Sequence, residues 1–245
     1  HAKGVQSCGG LTARPKPREE AMKVIDGKLC NNAGTPVPFR QAFDTRGPFS
    51  APPKVLVLHY DAMRSQSEAV SALTRNDKNY ISAHLSLSRE GDWVQMASLG
   101  EVTLHAGDGT LAAVRPYGTY SWGGVGRSTL NATAIGIEIN NLGWLDRRRG
   151  ELWTRQEQEL VVGWPAADCI VDVHPHRGGA KMGWPRYPDE QIAALDKGIA
   201  AILAAFPSIE RIVGHDEVSK QKYDPGPAFP LDAVRRRFEK RGVAP

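Results

Sequence analysis

His59 and His215 each close a short apolar run, Val55-Leu56-Val57-Leu58-His59 and Arg211-Ile212-Val213-Gly214-His215. Strand ends are where open sheets present functional groups. A lone histidine there is more often a hydrogen-bonded structural residue than a ligand. The segment after His215 changes that balance, because it runs through Lys222 and Tyr223 to Asp224-Pro225-Gly226-Pro227. Proline fixes φ and so holds the short carboxylate of Asp224 at a set angle. Two neutral imidazoles and one carboxylate are the donor set of a three-ligand zinc site with an open fourth position. Ile135-Gly136-Ile137-Glu138-Ile139-Asn140 adds a fourth group. Period two puts the isoleucines on one face and Gly136, Glu138 and Asn140 on the other. A glutamate in so apolar a strand is either the partner of one of the many arginines or an acid whose pKa burial raises. Beside zinc, such an acid can act as general base.

Other candidates invite simpler readings. Asp172, His174 and His176, with Cys169 nearby, look like a second metal cluster. They lie in an aperiodic stretch and are read as substrate-facing or surface residues. His84, on the serine side of its strand, and His105, ahead of Ala106-Gly107, are read as supporting or structural residues. Trp144, Trp153, Trp164 and Trp184 serve equally well as core residues or as platforms for sugar rings.

Elements must hold these groups in place. Val55 to His59 is apolar on both faces and predicts a buried central strand. Ser67 to Arg75 predicts a short helix capped by Ser67. Residues 81 to 88 alternate as a half-buried strand that Arg89-Glu90-Gly91-Asp92 turns back into Trp93-Val94-Gln95-Met96. Ala134 to Asn140 is a further strand, and Arg211 to His215 the last, with a loop expected after it. Pro188 opens the strongest helix, with acids in its first turn, the stripe Ile192, Leu195, Ile199, Ile202, Leu203 and Phe206, and Pro207 as its stop. Pro230 to Arg237 opens a final helix. This mixture predicts a single α/β domain, residues 54–245, with a central mixed sheet flanked by helices. Residues 1–53 read as an N-terminal arm with a small Asp26-Gly27 hairpin over Lys23 to Leu29 and a proline-bearing linker. Residues 143–185 fit neither period and read as an irregular insert, a functional loop or lid.

Composition excludes several classes. The chain has 245 residues, 41% hydrophobic and 24% charged, which is ordinary for a folded soluble domain. The longest clean apolar stretch, Ile199 to Phe206, is far short of the roughly 18 residues of a membrane span. A formal charge of +4 is too small to argue for a nucleic-acid partner, and ordinary solubility explains it. Cys8, Cys30 and Cys169 contain no C-x-x-C pair, and their odd number argues against a disulfide framework, although Cys8 and Cys30 could pair. Val5-Gln6-Ser7-Cys8 faintly resembles a lipobox, which would make Cys8 a lipid anchor.

Five segments in order carry a family resemblance: Val57-Leu58-His59-Tyr60, Ser82-Ala83-His84, Leu104-His105-Ala106-Gly107, Ala134-Ile135-Gly136-Ile137-Glu138, and Val213-Gly214-His215 continuing through Lys222 to Phe229. Over about residues 54–240 they resemble the zinc-dependent N-acetylmuramoyl-L-alanine amidases, a family that includes peptidoglycan-recognition proteins and phage lysozyme-type amidases. The resemblance implies that His59, His215 and Asp224 bind zinc, that Glu138 is the catalytic acid/base, and that Lys222 stabilises the developing oxyanion. The implied substrate is peptidoglycan or its muropeptides, cut between N-acetylmuramic acid and L-alanine. Ala83 and Asp224 are similar to a bacterial branch, since phage members carry tyrosine and cysteine there; the long insert points to its periplasmic or lipoprotein-type members, and so to the periplasm or cell envelope. Tyr60 departs from the small polar residue of several relatives. Two other readings follow from the same resemblance: a non-catalytic recognition module, which would be expected to lack a zinc ligand, or the same amidase deployed as an antibacterial toxin or lysin.

Overall fold

A computed structural model describes residues 21–76, 80–157 and 160–238 of the protein. Cys8, with its expected lipid or its pairing to Cys30, lies outside the described residues. Strands β1 (Lys23–Ile25) and β2 (Lys28–Cys30) form the expected hairpin. Asp26 and Gly27, at φ +49° and +72°, supply the two left-handed residues that a two-residue turn of this kind needs. β3 (Thr45–Pro48) pairs with residues Glu101–Thr103, and β4 (Val55–Tyr60) is the expected central strand. Helix α1 (Gln66–Thr74) starts two residues earlier than expected: Ser65, not Ser67, is its cap, in extended conformation and accepting from Glu68 N at 3.3 Å. Then follow β5 (Leu85–Leu87), β6 (Trp93–Gln95), β7 (Glu101–Thr103), the small hairpin β8 (Tyr120–Trp122) and β9 (Val125–Arg127), and β10 (Ala134–Ile139).

The strand expected over residues 81–88 is confined to Leu85–Leu87, and it is buried throughout. Its alternating polar residues do not face water. Ser82 donates to Asp44 O at 2.6 Å, and His84 bonds Glu101 O at 2.8 Å and Thr103 Oγ1 at 3.0 Å. Hydrogen bonding makes the burial of Ser82 and His84 affordable.

The insert is regular rather than irregular. It forms an antiparallel sheet of β11 (Arg147–Arg149), β12 (Leu152–Glu157) and β13 (Leu160–Pro165), followed by a hairpin of β14 (Cys169–His174) and β15 (Gly178–Pro185). No period shows in the sequence because parts of both faces are exposed; Leu160 and Val161, which are consecutive, are both open to solvent. The described residues end with α2 (Asp189–Ala205), β16 (Arg211–Gly214), the one-turn α3 (His215–Val218) and α4 (Leu231–Phe238). A helical turn therefore follows His215 where a loop was expected.

The central sheet has the order β16-β4-β10-β5-β6. Its pairs are parallel except the β5–β6 hairpin, so the sheet is mixed. Leu56, Leu58, Ile135, Ile137 and Ile139 pack in one cluster with Leu195, Ile199 and Ile202 of α2. Val55, Val57, Ala134 and Val213 face the other way, into a smaller cluster with Leu130, Val114 and Val218. His59 and Glu138 continue this second face, which chain segments other than α2 cover. The β1–β2 hairpin joins the first cluster through Leu29, which is fully buried. A leucine so placed contributes about 1.5–3 kcal/mol. No described helix is long and apolar enough to cross a membrane.

Candidate active site

Parallel pairing sets the site. Glu138 of β10 lies directly beside His59 of β4, so their side chains leave the sheet on the same face. On the other flank of β4, Gly214 of β16 is the register partner of Leu58, which brings His215 beside the end of β4. Asp224 returns because the segment after α3 closes on itself: Asp216 N donates to Asp224 O at 2.8 Å. Tyr187 then ties down the next residue by donating its hydroxyl to Pro225 O at 2.9 Å.

The three side chains converge. His59 Nδ1 and His215 Nδ1 are 3.0 Å apart, and each is 2.9 Å from Asp224 Oδ2. They form the one such group of three potential metal donors among the described residues, and all three are buried. Proton positions follow from the partners. His105 Nε2 lies 3.2 Å from Ala134 O, a pure acceptor, so the His105 proton sits on Nε2 and its Nδ1 is bare. That bare nitrogen is 3.0 Å from His59 Nε2, which must donate, leaving His59 Nδ1 bare. Burial, reinforced by the nearby His215, pulls His59 down to about 4, so it is neutral at pH 7. Burial opposes charge on Asp224, but the neighbouring His215 and His59 imidazoles prevail and hold it below the usual carboxylate range. A bare nitrogen and an ionised oxygen thus face each other at 2.9 Å with no proton between them. Such a contact is repulsive unless a cation lies against both atoms. The donor chemistry of the group therefore fits a divalent metal with zinc's preference for nitrogen and oxygen.

Glu138 is 9% exposed. Burial, then Asp224 and Asp61, push its carboxyl well above the ordinary value, with Lys222 pulling the other way. Lys222 is exposed on the loop between α3 and Asp224. Both line one cavity of about 460 Å³ with the His59, His215 and Asp224 side chains. Tyr60, Trp144, Arg155 and Tyr223 form part of its wall. Arg155 reaches this wall from β12, donating to Leu142 O at 2.9 Å and Trp144 O at 2.7 Å with its guanidinium over the Trp144 ring. Its role was not legible in the sequence, where it is one of many arginines. Asp61, two residues after His59, was also missed. It accepts from Asn140 Nδ2 at 2.9 Å and Met63 N at 3.0 Å, and burial raises it to about 7 despite these bonds.

The second histidine cluster is not a metal group. Asp172 and His176 are exposed, as expected of surface residues. His174 corrects the reading, because it is fully buried with Nε2 3.1 Å from both Asp216 Oδ2 and Tyr223 O. His105 and His84 support the site from behind: His59 rests on His105, and His84 Nδ1 accepts from Gly136 N at 3.0 Å. Gly136 makes room for this stack, since a Cβ there would lie 2.5 Å from the His105 ring. Gly136→Ala is therefore expected to push His105 off His59 and weaken metal binding by about 10–100-fold, the usual cost of losing a group that orients a ligand. Competition with a chelator measures it, and wild-type affinity would show that His105 does not orient His59.

A family profile described as N-acetylmuramoyl-L-alanine amidase matches residues 49–227, well over half of the chain. No curated protein matches the sequence. Among solved structures, the chain is similar to the E. coli N-acetylmuramyl-L-alanine amidase AmiD in complex with anhydro-N-acetylmuramic acid-L-Ala-D-γ-Glu-L-Lys, with 23% identity over 92% of this chain and 67% of that one and a TM-score of 0.49. It is similar to Pseudomonas aeruginosa AmpDh3 in complex with anhydromuramic pentapeptide, at 24% identity over 81% and 71% of the two chains, TM-score 0.49. A selenomethionine derivative of AmpD matches at 17% identity over 82% and 93%, TM-score 0.48.

Proposed function

The chain belongs to the N-acetylmuramoyl-L-alanine amidase family, and on that premise we propose that it is a zinc-dependent hydrolase of the amide joining the lactyl group of N-acetylmuramic acid to the L-alanine of the stem peptide. The observation that carries this reading is the convergence of His59 Nδ1, His215 Nδ1 and Asp224 Oδ2 within 3.0 Å of one another, in one cavity with Glu138. In this reading His59, His215 and Asp224 hold the zinc, which supplies a Lewis acid that polarises the amide carbonyl and acidifies water. The Glu138 carboxylate takes a proton from the attacking water and passes it to the departing nitrogen of L-alanine. Burial raises its proton affinity, which makes the carboxylate a stronger base toward the attacking water. Lys222 lends positive charge to the carbonyl oxygen as it becomes an oxyanion. Residues 54–245 act as the catalytic domain, with 1–53 as the arm that leads into it. The protein works on peptidoglycan or muropeptides in the periplasm or cell envelope, and Cys8 is its candidate lipid anchor.

Purified protein incubated with intact sacculi and with soluble muropeptides tests the reading. Mass analysis should find a saccharide with a free lactyl carboxylate and a stem peptide beginning at L-alanine, their masses summing to the substrate plus one water. Products cut at any other bond, or none, would overturn it.

Lys222→Ala is expected to lower kcat by about 10²–10³-fold with little change in KM, because a cation aimed at the oxyanion acts mainly in the transition state. A loss confined to KM would make Lys222 a ground-state contact instead.

A further inference from the structure

The loop from His215 to Asp224 carries two of the proposed zinc ligands and Lys222, and the bond from Asp216 N to Asp224 O closes its ends. Helix α3 is one turn, and Lys220, Gln221 and Lys222 beyond it are exposed. A short helix leaves its carbonyls without amide partners. Here Ser219 N reaches His215 O at 2.9 Å and Lys222 N reaches Ser219 O at 3.3 Å, and the rest of the support comes from outside, as from Thr110 N to Val218 O at 2.8 Å. Arg177, in the turn between β14 and β15, donates through Nη2 to Asp216 O at 2.7 Å and also to Ser219 O, and through Nε to Lys222 O at 3.0 Å. One guanidinium thus satisfies three carbonyls spread across the loop, the last belonging to Lys222 itself.

His174 shapes the turn that aims Arg177. Its Nδ1 accepts from His176 N and Arg177 N, both at 3.2 Å. Nε2 must therefore carry the proton, which faces Asp216 Oδ2 and Tyr223 O, each at 3.1 Å. The ring packs 5.1 Å from Tyr223 and 5.7 Å from Trp184, centre to centre. The hairpin read from sequence as part of a lid is, in the structure, a brace on the back of the loop.

We propose that Arg177 is a positioning residue for the amidase reaction: it acts through the backbone of the loop to hold Lys222 at the carbonyl oxygen of the substrate. This inference rests on the proposed function. Lysine should not substitute, since its single ammonium cannot present the planar fork that reaches three carbonyls.

The test compares Arg177→Ala, Lys222→Ala and the double variant on a soluble muropeptide, with hydrogen exchange of the loop amides as a readout separate from activity. In the otherwise unchanged enzyme, Arg177→Ala should lower kcat about tenfold or more, leave KM nearly unchanged, and speed exchange at residues 219–223. In the Lys222→Ala background the same substitution should cost less than about twofold, because groups acting as one unit are not additive. Arg177→Lys, a smaller change that keeps the charge, should recover only part of kcat. Equal losses in both backgrounds, or full rescue by lysine, would overturn the proposal and leave Arg177 as a brace of the fold alone. If Lys222→Ala leaves kcat unchanged, the assignment of Lys222 fails and this inference fails with it. Should the wild-type enzyme not hydrolyse muropeptides at all, the functional reading itself falls, while unchanged exchange in Arg177→Ala would refute the brace independently.

Discussion

His215→Ala is expected to yield a folded protein that no longer retains zinc and whose hydrolysis of muropeptides falls by more than about 10³-fold, the scale set by losing a Lewis acid worth several kcal/mol. The imidazole removed supplies one of three donor atoms lying within 3.0 Å of one another. What remains is one nitrogen and one carboxylate oxygen, too few for the closed side of a zinc site. The fold should survive, because His215 begins a one-turn helix and is not part of either large apolar cluster. Metal analysis should give one zinc per wild-type chain and none for the variant. His176→Ala is the control: that ring is exposed and stands beside His174, outside the proposed donor set. Zinc retained by His215→Ala and lost from His176→Ala would move the metal into the insert and overturn the assignment.

Glu138→Gln should lower kcat by about 10²-fold or more, a typical contribution of a general base, while zinc content and affinity for muropeptides stay near wild type. The amide keeps the shape of the side chain on β10 but cannot accept a proton. The pH profile provides a second readout. Burial and the neighbouring Asp224 and Asp61 raise the Glu138 carboxyl, with Lys222 partly offsetting them. A base is active only when ionised, so activity should rise with pH through that raised value and be lost as pH falls below it. The glutamine variant should lack this limb and show a flat low-pH side. Wild-type turnover in Glu138→Gln would make Glu138 a structural carboxylate and leave the proton transfer to another group.

The pattern of residues made much of this architecture legible. The apolar run of β4, the isoleucines of β10 and the stripe of α2 all describe buried surfaces, and burial leaves a direct record in residue type. The insert was misread for the same reason. Its strands are partly exposed on both faces, so no alternation records them, and their pairing is set by backbone hydrogen bonds that any side chain allows. Ser82 and His84 misled in the opposite sense: they are polar and buried, because their partners come from residues far along the chain, Asp44 and Glu101.

Within the site, residue types alone nominated His59, His215, Asp224 and Glu138, since few side chains can bind zinc or move a proton. Their convergence belongs to the tertiary structure. Parallel register puts Glu138 beside His59 across separate strands, and the backbone hydrogen bond from Asp216 N to Asp224 O brings the carboxylate back to the first two donors. The proton order that leaves His59 Nδ1 bare depends on His105 and on the carbonyl of Ala134. The brace by Arg177 depends on carbonyls, and every residue has one. Sequence records what a side chain can do; which nitrogen is bare and which carbonyl is met are decided by distances between segments that only the folded chain brings within 3 Å or so of each other.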